Sequence, residues 1–184
     1  RELYEPFNLR PYPAGNSGCQ MGGWFKKPIN SVQDLQGLKM RIPGFGGEVL
    51  RRNGGTPVAM PGSEIFTALQ TGTIDAAEWI GPYNDLTFGF HKVAKHYYYP
   101  GWHEGGPALE CIVNKEAYEE LPEDLQTIID IAASATNDTM LAEFVARNAF
   151  SLKQIEMMED IKIAPFPKDV MDAFKQKAEE IIAE

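Results

Sequence analysis

The sequence lacks any hydrophobic run of the roughly 18 residues that a membrane-spanning helix needs. It also lacks low-complexity segments and internal repeats, and its 43% of apolar residues is typical of a chain that folds around a core. Basic residues are few, since 17 Lys and Arg stand against 26 Asp and Glu and the formal net charge is −9. Because an acidic surface repels phosphate, we expect a folded protein that has no nucleic acid partner.

Motifs for common metals and cofactors are missing as well. Cys19 and Cys111 form no CxxC pair, which argues against a zinc knuckle or a disulfide scaffold and favours two unrelated, buried or half-buried thiols. The stretch that starts at His103 is not HExxH, because Pro107 occupies the second His position. The cluster "GFGGE" from Gly44 lacks the last glycine of a dinucleotide loop, and neither GK[ST] nor GxSxG occurs. Zinc and nucleotide binding are therefore disfavoured, and nucleophilic catalysis is unsupported rather than excluded.

Glycine and proline divide the first two thirds of the chain into short elements. Ser63 suits the N-cap of a helix, and Gly72 suits the position just after its end. Residues 38–42 alternate, so that Arg41 lies on the face opposite the apolar side chains. The predicted elements are strands at 38–42, 73–80 and 108–115 and helices at 48–52 and 63–71.

The last third of the chain reads as helical. No Gly or Pro occurs between Pro122 and Pro165, and apolar residues recur there at helical spacing, which predicts one or two long helices. The final segment, from Lys168, places Val170 and Phe174 on one face of an amphipathic helix. Strands that alternate with helices indicate the α/β class.

Two charged residues are candidates for chemistry. Arg41 can be a solvated or cross-strand-paired charge, or a fork that grips a carboxylate with two hydrogen bonds. Glu78 can face water or an ion partner, but the apolar surroundings "IDAAEWIGP" make an unpaired carboxylate costly and favour a cation or ligand. The aromatic block "HYYYPGW" can be core, a lobe surface or a sugar platform.

Several longer motifs together resemble one family. "DLQGLKMRIPG", which contains Arg41, and "ALQTGTIDAAE" are similar to the solute receptors of tripartite ATP-independent periplasmic (TRAP) transporters, the DctP-like family. "GCQMGGWF", "AAEWIGPYND" and "HYYYPGWHEGGP" resemble the members that bind 2-oxo acids and related 2-hydroxy acids such as lactate. The resemblance runs over nearly the whole chain.

The resemblance implies a two-lobed periplasmic binding protein-like fold (type II-like), incomplete here, with a long helix near the C-terminal half. Residues 1–76 and 118–184 would form mainly the second lobe and the inter-lobe helices, and 77–117 would belong to the first lobe. The signal peptide, most of the first lobe and a tail helix that can swap between subunits would be missing. The 77–117 piece, with its tyrosines and Trp102, would then expose apolar surface.

The resemblance also implies a binding site. Arg41 would pair with the substrate carboxylate, and Glu104 would contact the substrate side of the pocket. Gln20, Glu78 and the backbone carbonyl of Trp79 would hold a cation that also touches the carboxylate and the 2-oxo oxygen of the acid. The substrate-binding residues are thus Arg41, Gln20, Trp79 and Glu104. The cation would be bound by Gln20, Glu78 and Trp79 through oxygen atoms, and coordination by oxygen alone suits sodium or calcium.

The implied function is that of a periplasmic receptor and not of an enzyme. It would bind a small 2-oxo or 2-hydroxy monocarboxylate, such as pyruvate or lactate, with a bound cation and deliver it to the TRAP membrane permease. A homodimer of the full-length protein is a further expectation. The alternatives are a metal-assisted lyase or hydrolase that uses Glu78 and Glu104, and a structural module that meets a partner through the Tyr and Trp cluster.

Overall fold

The structure is a computed structural model that describes residues 2–184. Strands and helices alternate along it, as expected for an α/β protein. The strands are β1 Leu9–Asn16, β2 Gly23–Phe25, β3 Lys39–Arg41, β4 Thr56–Val58, β5 Ala76–Ala77, β6 His96–Tyr99, β7 Ala108–Asn114 and β8 Lys162–Pro165. The α-helices are α1 Gly44–Arg52, α2 Gly62–Thr71, α3 Pro82–Phe88, α4 Lys115–Glu119, α5 Glu123–Glu156 and α6 Lys168–Ile182. Across residues 2–184, no helix combines the length and apolar character that crossing a membrane requires.

The chain divides into two compact units. The smaller unit comprises the residues up to Gly18 together with Gly106–Ala146, and the larger comprises Cys19–Gly105 together with Arg147–Glu184. The lobe boundaries predicted from the sequence, 76/77 and 117/118, concern the lobes of a longer receptor and stay a prediction.

The larger unit is built on a six-stranded sheet with the order β4-β3-β5-β2-β6-β8. β3 runs parallel to β4 and β5, and β6 runs parallel to β8, whereas β2 is antiparallel to both of its neighbours. Trp24, Ala77 and Tyr97 are paired across the three central strands and belong to one buried cluster. Phe25 and Tyr98 belong to a second cluster, because successive residues of a strand point to opposite faces.

Helices cover both faces of this sheet. The cluster around Trp24 includes Ile65 and Leu69 of α2, and the cluster around Phe25 includes Val49 of α1 and Phe174 of α6. The predicted apolar face of the last helix is confirmed, since its members pack into the second cluster as Val170, Met171, Phe174, Ala178 and Ile181.

The smaller unit contains the antiparallel pair β1 and β7, with α4 and most of α5. Tyr12 and Tyr118 are buried in it, with ring centres 6.0 Å apart. The guanidinium carbon of Arg10 lies 3.9 Å from the centre of the Tyr118 ring, and Arg10 Nη2 forms an ion pair with Asp130 at 3.2 Å. The predicted strand at 108–115 is confirmed as β7.

Several helix predictions hold, with corrections at the starts. The long helical segment is one helix, α5, whose 34 residues extend over about 50 Å at 1.5 Å per residue. The helix predicted at 63–71 is α2, and Gly72 ends it with a left-handed φ of 79°. Ser63 is not its N-cap, however, because the helix already begins at Gly62 behind Pro61. Helix α1 likewise begins at Gly44 and not at residue 48.

The strand predicted at 73–80 is much shorter than expected. Only Ala76 and Ala77 pair with neighbours, so Glu78 and Trp79 lie in the turn that follows β5. The aromatic block is divided: Tyr97 and Tyr98 are buried on opposite faces of β6 and do not add to an exposed apolar surface, whereas Tyr99 is exposed. Both cysteines are exposed, so the prediction of buried or half-buried thiols is wrong.

Candidate functional site

Arg41 and Glu78 form a buried ion pair at the ends of two adjacent parallel strands. Arg41 is the last residue of β3 and lies beside Ala77 of β5, and the Glu78 N–H donates to the Arg41 carbonyl at 3.1 Å. This backbone register brings the side chains together. Arg41 Nη1 lies 2.5 Å from Glu78 Oε1 and 2.9 Å from the Glu78 carbonyl oxygen, and the side chains are only 11% and 4% exposed. Of the two simpler interpretations, the solvated charge is wrong, and the charge paired with a neighbouring strand is what the structure shows.

Only part of the Arg41 guanidinium is used by the protein. Its carbon lies 4.9 Å from the centre of the Trp79 ring, and its Nε donates weakly to the Met60 carbonyl at 3.4 Å. Within residues 2–184, Nη2 donates no hydrogen bond. Nη2, which carries two N–H donors, is therefore the part of the guanidinium with spare capacity for an anionic ligand.

Gln20 completes a close cluster with the other predicted cation ligands. Its amide nitrogen, Nε2, donates to Glu78 Oε2 at 3.0 Å and to the Trp79 carbonyl oxygen at 3.0 Å. Its amide oxygen, Oε1, is buried and has no hydrogen bond partner. A cation between these groups would need the amide to present its oxygen, which is the atom that now lacks a partner. The donor set therefore fits a hard cation that prefers oxygen ligands.

Close backbone contacts fix the segment that carries Gln20. The Met21 N–H donates to the Ile80 carbonyl at 2.9 Å, and the Gly101 N–H donates to the Gln20 carbonyl at 3.1 Å. A Cβ atom on Gly101 would lie 2.7 Å from the Cβ and the carbonyl oxygen of Gln20. Gly23 has a φ of 119°, and a Cβ there would lie 2.7 Å from the Ala77 carbonyl oxygen. Glycine is required where these strands and loops meet.

His103 belongs to the cluster, although sequence reasoning missed it. Its Nε2 lies 3.1 Å from Glu78 Oε2 and 3.4 Å from Gln20 Nε2, its side chain is 7% exposed, and its Nδ1 is buried without a hydrogen bond partner. A single histidine outside a zinc-binding pattern does not indicate a binding site in the sequence. Its position directly before the predicted site residue Glu104 was the available clue.

Glu104 is the one predicted site residue that the structure does not bring to the cluster. It is exposed, and no hydrogen bond or ion pair of Glu104 is found among residues 2–184. The ring of His103 contacts Glu78 and Gln20 instead. The role of Glu104 toward substrate stays a prediction, as do the roles of Arg41, Gln20, Glu78 and Trp79.

The cluster differs in chemistry from a transition-metal centre. The described residues contain no group of three or more His, Cys, Asp and Glu side chains that could hold a metal ion. The converging groups are one carboxylate, one amide and one backbone carbonyl. A cation site with a single carboxylate and neutral oxygens is the kind that sodium and calcium occupy.

Comparison with known proteins identifies the family. The sequence profile of the bacterial extracellular solute-binding proteins, family 7, also called DctP, matches residues 6–184. The chain belongs to this family. The resemblance seen in the sequence motifs is thereby confirmed, and members of this family are solute-binding proteins of transport systems.

The DctP-family chain is similar to proteins that bind small acids. It is 46% identical to the monocarboxylate 2-oxoacid-binding periplasmic protein of Nostoc sp. over 184 residues, which cover 100% of this chain and 50% of the relative. The chain is also similar to a TRAP periplasmic solute-binding protein from Colwellia psychrerythraea that was solved with calcium and pyruvate. The two share 46% identity with a TM-score of 0.94, and the match covers 99% of this chain and 56% of that one.

A second solved relative contains a different ion. The TRAP periplasmic solute-binding protein from Pseudoalteromonas atlantica, solved with sodium and pyruvate, has a TM-score of 0.92 and 45% identity, with 99% of this chain and 55% of that one aligned. The predicted fold class is thus confirmed as the mixed α/β fold of these receptors. The DctP-family chain spans about half the length of the relatives that it matches.

Proposed function

We propose that this chain belongs to a TRAP transporter receptor for small 2-oxo or 2-hydroxy monocarboxylates. It would supply the residues that bind the carboxylate of the substrate and those that bind the cation. The observation that carries the proposal is the convergence of Gln20, Glu78 and the Trp79 carbonyl beside Arg41. The similarity to a 2-oxoacid-binding protein and to two structures with pyruvate supports the same substrate class.

Arg41 would bind the substrate carboxylate. Nη1 is held by Glu78, so the acid would bind at Nη2, and a second hydrogen bond from Nε would require it to replace the weak contact of Nε with the Met60 carbonyl. Because Glu78 and Trp79 fix the guanidinium, little side-chain entropy would be lost on binding.

Gln20, Glu78 and the Trp79 carbonyl would hold sodium or calcium next to the acid. The ion would offset the cost of moving an anion out of water from the side opposite Arg41, and it would polarise the 2-oxo or 2-hydroxy oxygen without breaking a bond. His103 would keep Glu78 oriented through its contact with Oε2.

The enzyme alternative has less support. It requires Glu78 and Glu104 to act together at the ion, but Glu104 is exposed and Glu78 is already engaged by Arg41, Gln20 and His103. A receptor needs neither a nucleophile nor a general acid. Periplasmic location, delivery to the membrane permease and a homodimer of the full-length protein belong to the same proposal.

Calorimetry on the full-length protein tests the proposal. Pyruvate should bind with saturation when sodium or calcium is present, and exhaustive dialysis into chelator and sodium-free buffer should weaken this binding, because ligands that share contacts are reciprocally coupled. Pyruvate followed by NMR during the same incubation should remain unchanged. Binding that ignores the ion, or conversion of pyruvate to product, would contradict the shared-ion receptor.

A further inference from the structure

Asp85 is a buried carboxylate that the proposed binding cluster does not use. It lies in α3 and is 1% exposed. Its Oδ2 accepts hydrogen bonds from Trp24 Nε1 at 3.1 Å and from the Tyr97 hydroxyl at 2.8 Å, and its Oδ1 accepts from the Ile80 N–H at 3.3 Å. A carboxyl group in this position is costly, and burial raises the pKa of Asp85 to about 7.

The partners of Asp85 adjoin the predicted cation ligands on both sides. Ile80 directly follows Trp79, and the Ile80 carbonyl accepts from Met21, the residue that follows Gln20. Trp24 pairs with Ala77, the residue before Glu78. Asp85 is therefore connected to all three ligands. Trp79 precedes its partner Ile80, Gln20 precedes Met21, which bonds to Ile80, and Glu78 follows Ala77, which pairs with its partner Trp24.

The two donors on Oδ2 are held in place by their own packing. The rings of Trp24 and Tyr97 lie on adjacent strands and stack with centres 4.1 Å apart and an angle of 16° between their planes. Their N–H and O–H groups therefore meet one acceptor atom. An asparagine at position 85 has one oxygen only, so it cannot accept from the ring pair and from Ile80 with separate oxygens.

We propose that Asp85 is a positioning residue for the cation ligands, an inference that rests on the proposed function. Its two oxygens tie the turn of Glu78, Trp79 and Ile80 to strands β2 and β6, so that the Trp79 carbonyl and the Gln20 side chain keep a fixed separation. Partners that orient metal ligands in this indirect way commonly affect ion affinity as well as stability.

Two neighbouring tyrosines provide a matched test in the full-length protein. Tyr97→Phe removes the hydroxyl that binds Asp85, and Tyr98→Phe removes the hydroxyl that binds the backbone of Ile29. Both hydroxyls are buried on the same strand, but only the first is connected to the ligand turn. Thermal melts should show that both variants fold and lose some stability.

Ion affinity should separate the two variants. We expect Tyr97→Phe to weaken calcium binding, measured by calorimetry at saturating pyruvate, by about 5-fold, and Asp85→Asn by about 10-fold or more. Tyr98→Phe should remain within about 2-fold of wild type, because its hydroxyl contacts the backbone of Ile29 and sites that share no partner act nearly independently. Equal calcium affinity in Tyr97→Phe, Tyr98→Phe and wild type would overturn the positioning role.

The same experiment distinguishes the inference from the function on which it rests. If wild-type protein binds neither pyruvate nor calcium, the proposed function fails. If wild type binds both and Tyr97→Phe binds them equally well, only the role of Asp85 fails. Should Asp85→Asn not fold, the comparison of the two tyrosine variants still decides the question.

Discussion

In the proposed receptor, Arg41 would serve two partners. It pairs with Glu78 through Nη1, and Nη2 would remain for the ligand. A lysine would retain the charge but would present a point donor that cannot hold both partners in a fixed plane.

Arg41→Lys in the full-length protein should therefore weaken pyruvate binding by about 1.5 to 3 kcal/mol, the scale of charge-assisted hydrogen bonds. Arg51→Lys is the control, because Arg51 is exposed and, among residues 2–184, pairs only with Glu48 of the same helix. Calorimetry on both variants measures the difference. Unchanged affinity in Arg41→Lys would remove Arg41 from the site.

Asp85 makes stability depend on pH. Burial raises its pKa to about 7, against the lowering effect of the hydrogen bonds from Tyr97, Ile80 and Trp24, whereas an unfolded aspartate has a pKa of about 3.9. Between these values the folded protein binds a proton that the unfolded chain releases. The contribution is complete below about pH 4 and is lost as the pH rises to about 7, by at most about 1.4 kcal/mol per pH unit.

Urea unfolding at pH 4.5, 6 and 7.5 measures this contribution, with Asp85→Asn as the control that cannot titrate. The titratable groups that face Asp85 include Glu78, Tyr97 and Cys19. Burial raises the pKa of Tyr97, and partial desolvation of the sulfur raises the pKa of Cys19 although that residue is exposed as a whole, so that both stay neutral in this range. The advantage of wild type over the variant should shrink as the pH rises. A difference that is the same at all three values would contradict the prediction.

Residue types within long motifs could be predicted from the sequence, but contacts between distant segments could not. The family resemblance predicts four binding residues that the structure brings together, namely Arg41, Gln20, Glu78 and Trp79. His103 joins Glu78 across 25 residues of chain, and no local pattern encodes that approach. The prediction of the neighbouring Glu104 rests on the family resemblance alone.

At the scale of elements, glycine decides how closely strands and helices approach. The glycines at 44–47 form the first turn of α1. A Cβ on Gly47 would lie 2.7 Å from the Ile42 carbonyl oxygen, and one on Gly46 would lie 2.8 Å from the Cβ of His103. Helix propensity opposes glycine here, and close packing overrides it.

Gly23→Ala should disturb both the sheet and the cation ligands. The new Cβ would lie 2.7 Å from the Ala77 carbonyl oxygen and 3.2 Å from the Glu78 Cα, and the φ of 119° is strained for alanine. We expect a loss of about 2 to 4 kcal/mol in urea unfolding, where backbone strain alone accounts for about 1 to 2 kcal/mol.

Gly37→Ala is the matched control for this change. Gly37 also has a positive φ, of 70°, but its Cβ would meet nothing within 4 Å. It should therefore show the strain without the collision, and it should leave pyruvate binding unchanged. If both variants lost the same stability, the contact with the Ala77 carbonyl would carry no cost.

Element boundaries were predicted best where a strong local signal stood alone. Gly72 ends α2 as expected, because a left-handed residue there needs glycine. The predicted strand at 73–80 is too long, because apolar composition indicates burial but not strand pairing. Strand β5 ends at Ala77, and the next residue, Glu78, forms an ion pair with Arg41.

At the scale of the whole molecule, the smaller unit exposes much apolar surface. Large apolar side chains lie exposed on β7 and on α5, namely Leu109, Ile112, Leu125, Ile128, Ile131 and Val145. Of these residues, Leu109 and Ile112 lie in the 77–117 segment for which an exposed apolar surface was expected; Tyr99 of that segment is exposed too, whereas Tyr97 and Tyr98 are buried.

The 184-residue chain expressed by itself should consequently self-associate, because exposed apolar patches of this kind promote association. It should also bind pyruvate much more weakly than the full-length protein. Light scattering and calorimetry on both proteins test this expectation. A monodisperse monomer with the affinity of the full-length protein would show that these side chains need no cover.

Arg41 and Glu78 cancel each other's charge before any ligand arrives. A monocarboxylate alone would leave this enclosed place with an excess negative charge, and the cation alone would leave an excess positive one, whereas the two together would offset each other, to zero for sodium and to +1 for calcium. In the vocabulary of signalling, such a site would be a coincidence detector. Its occupancy would follow the product of the concentrations of acid and ion, and the acid would be detected only where the ion is also abundant.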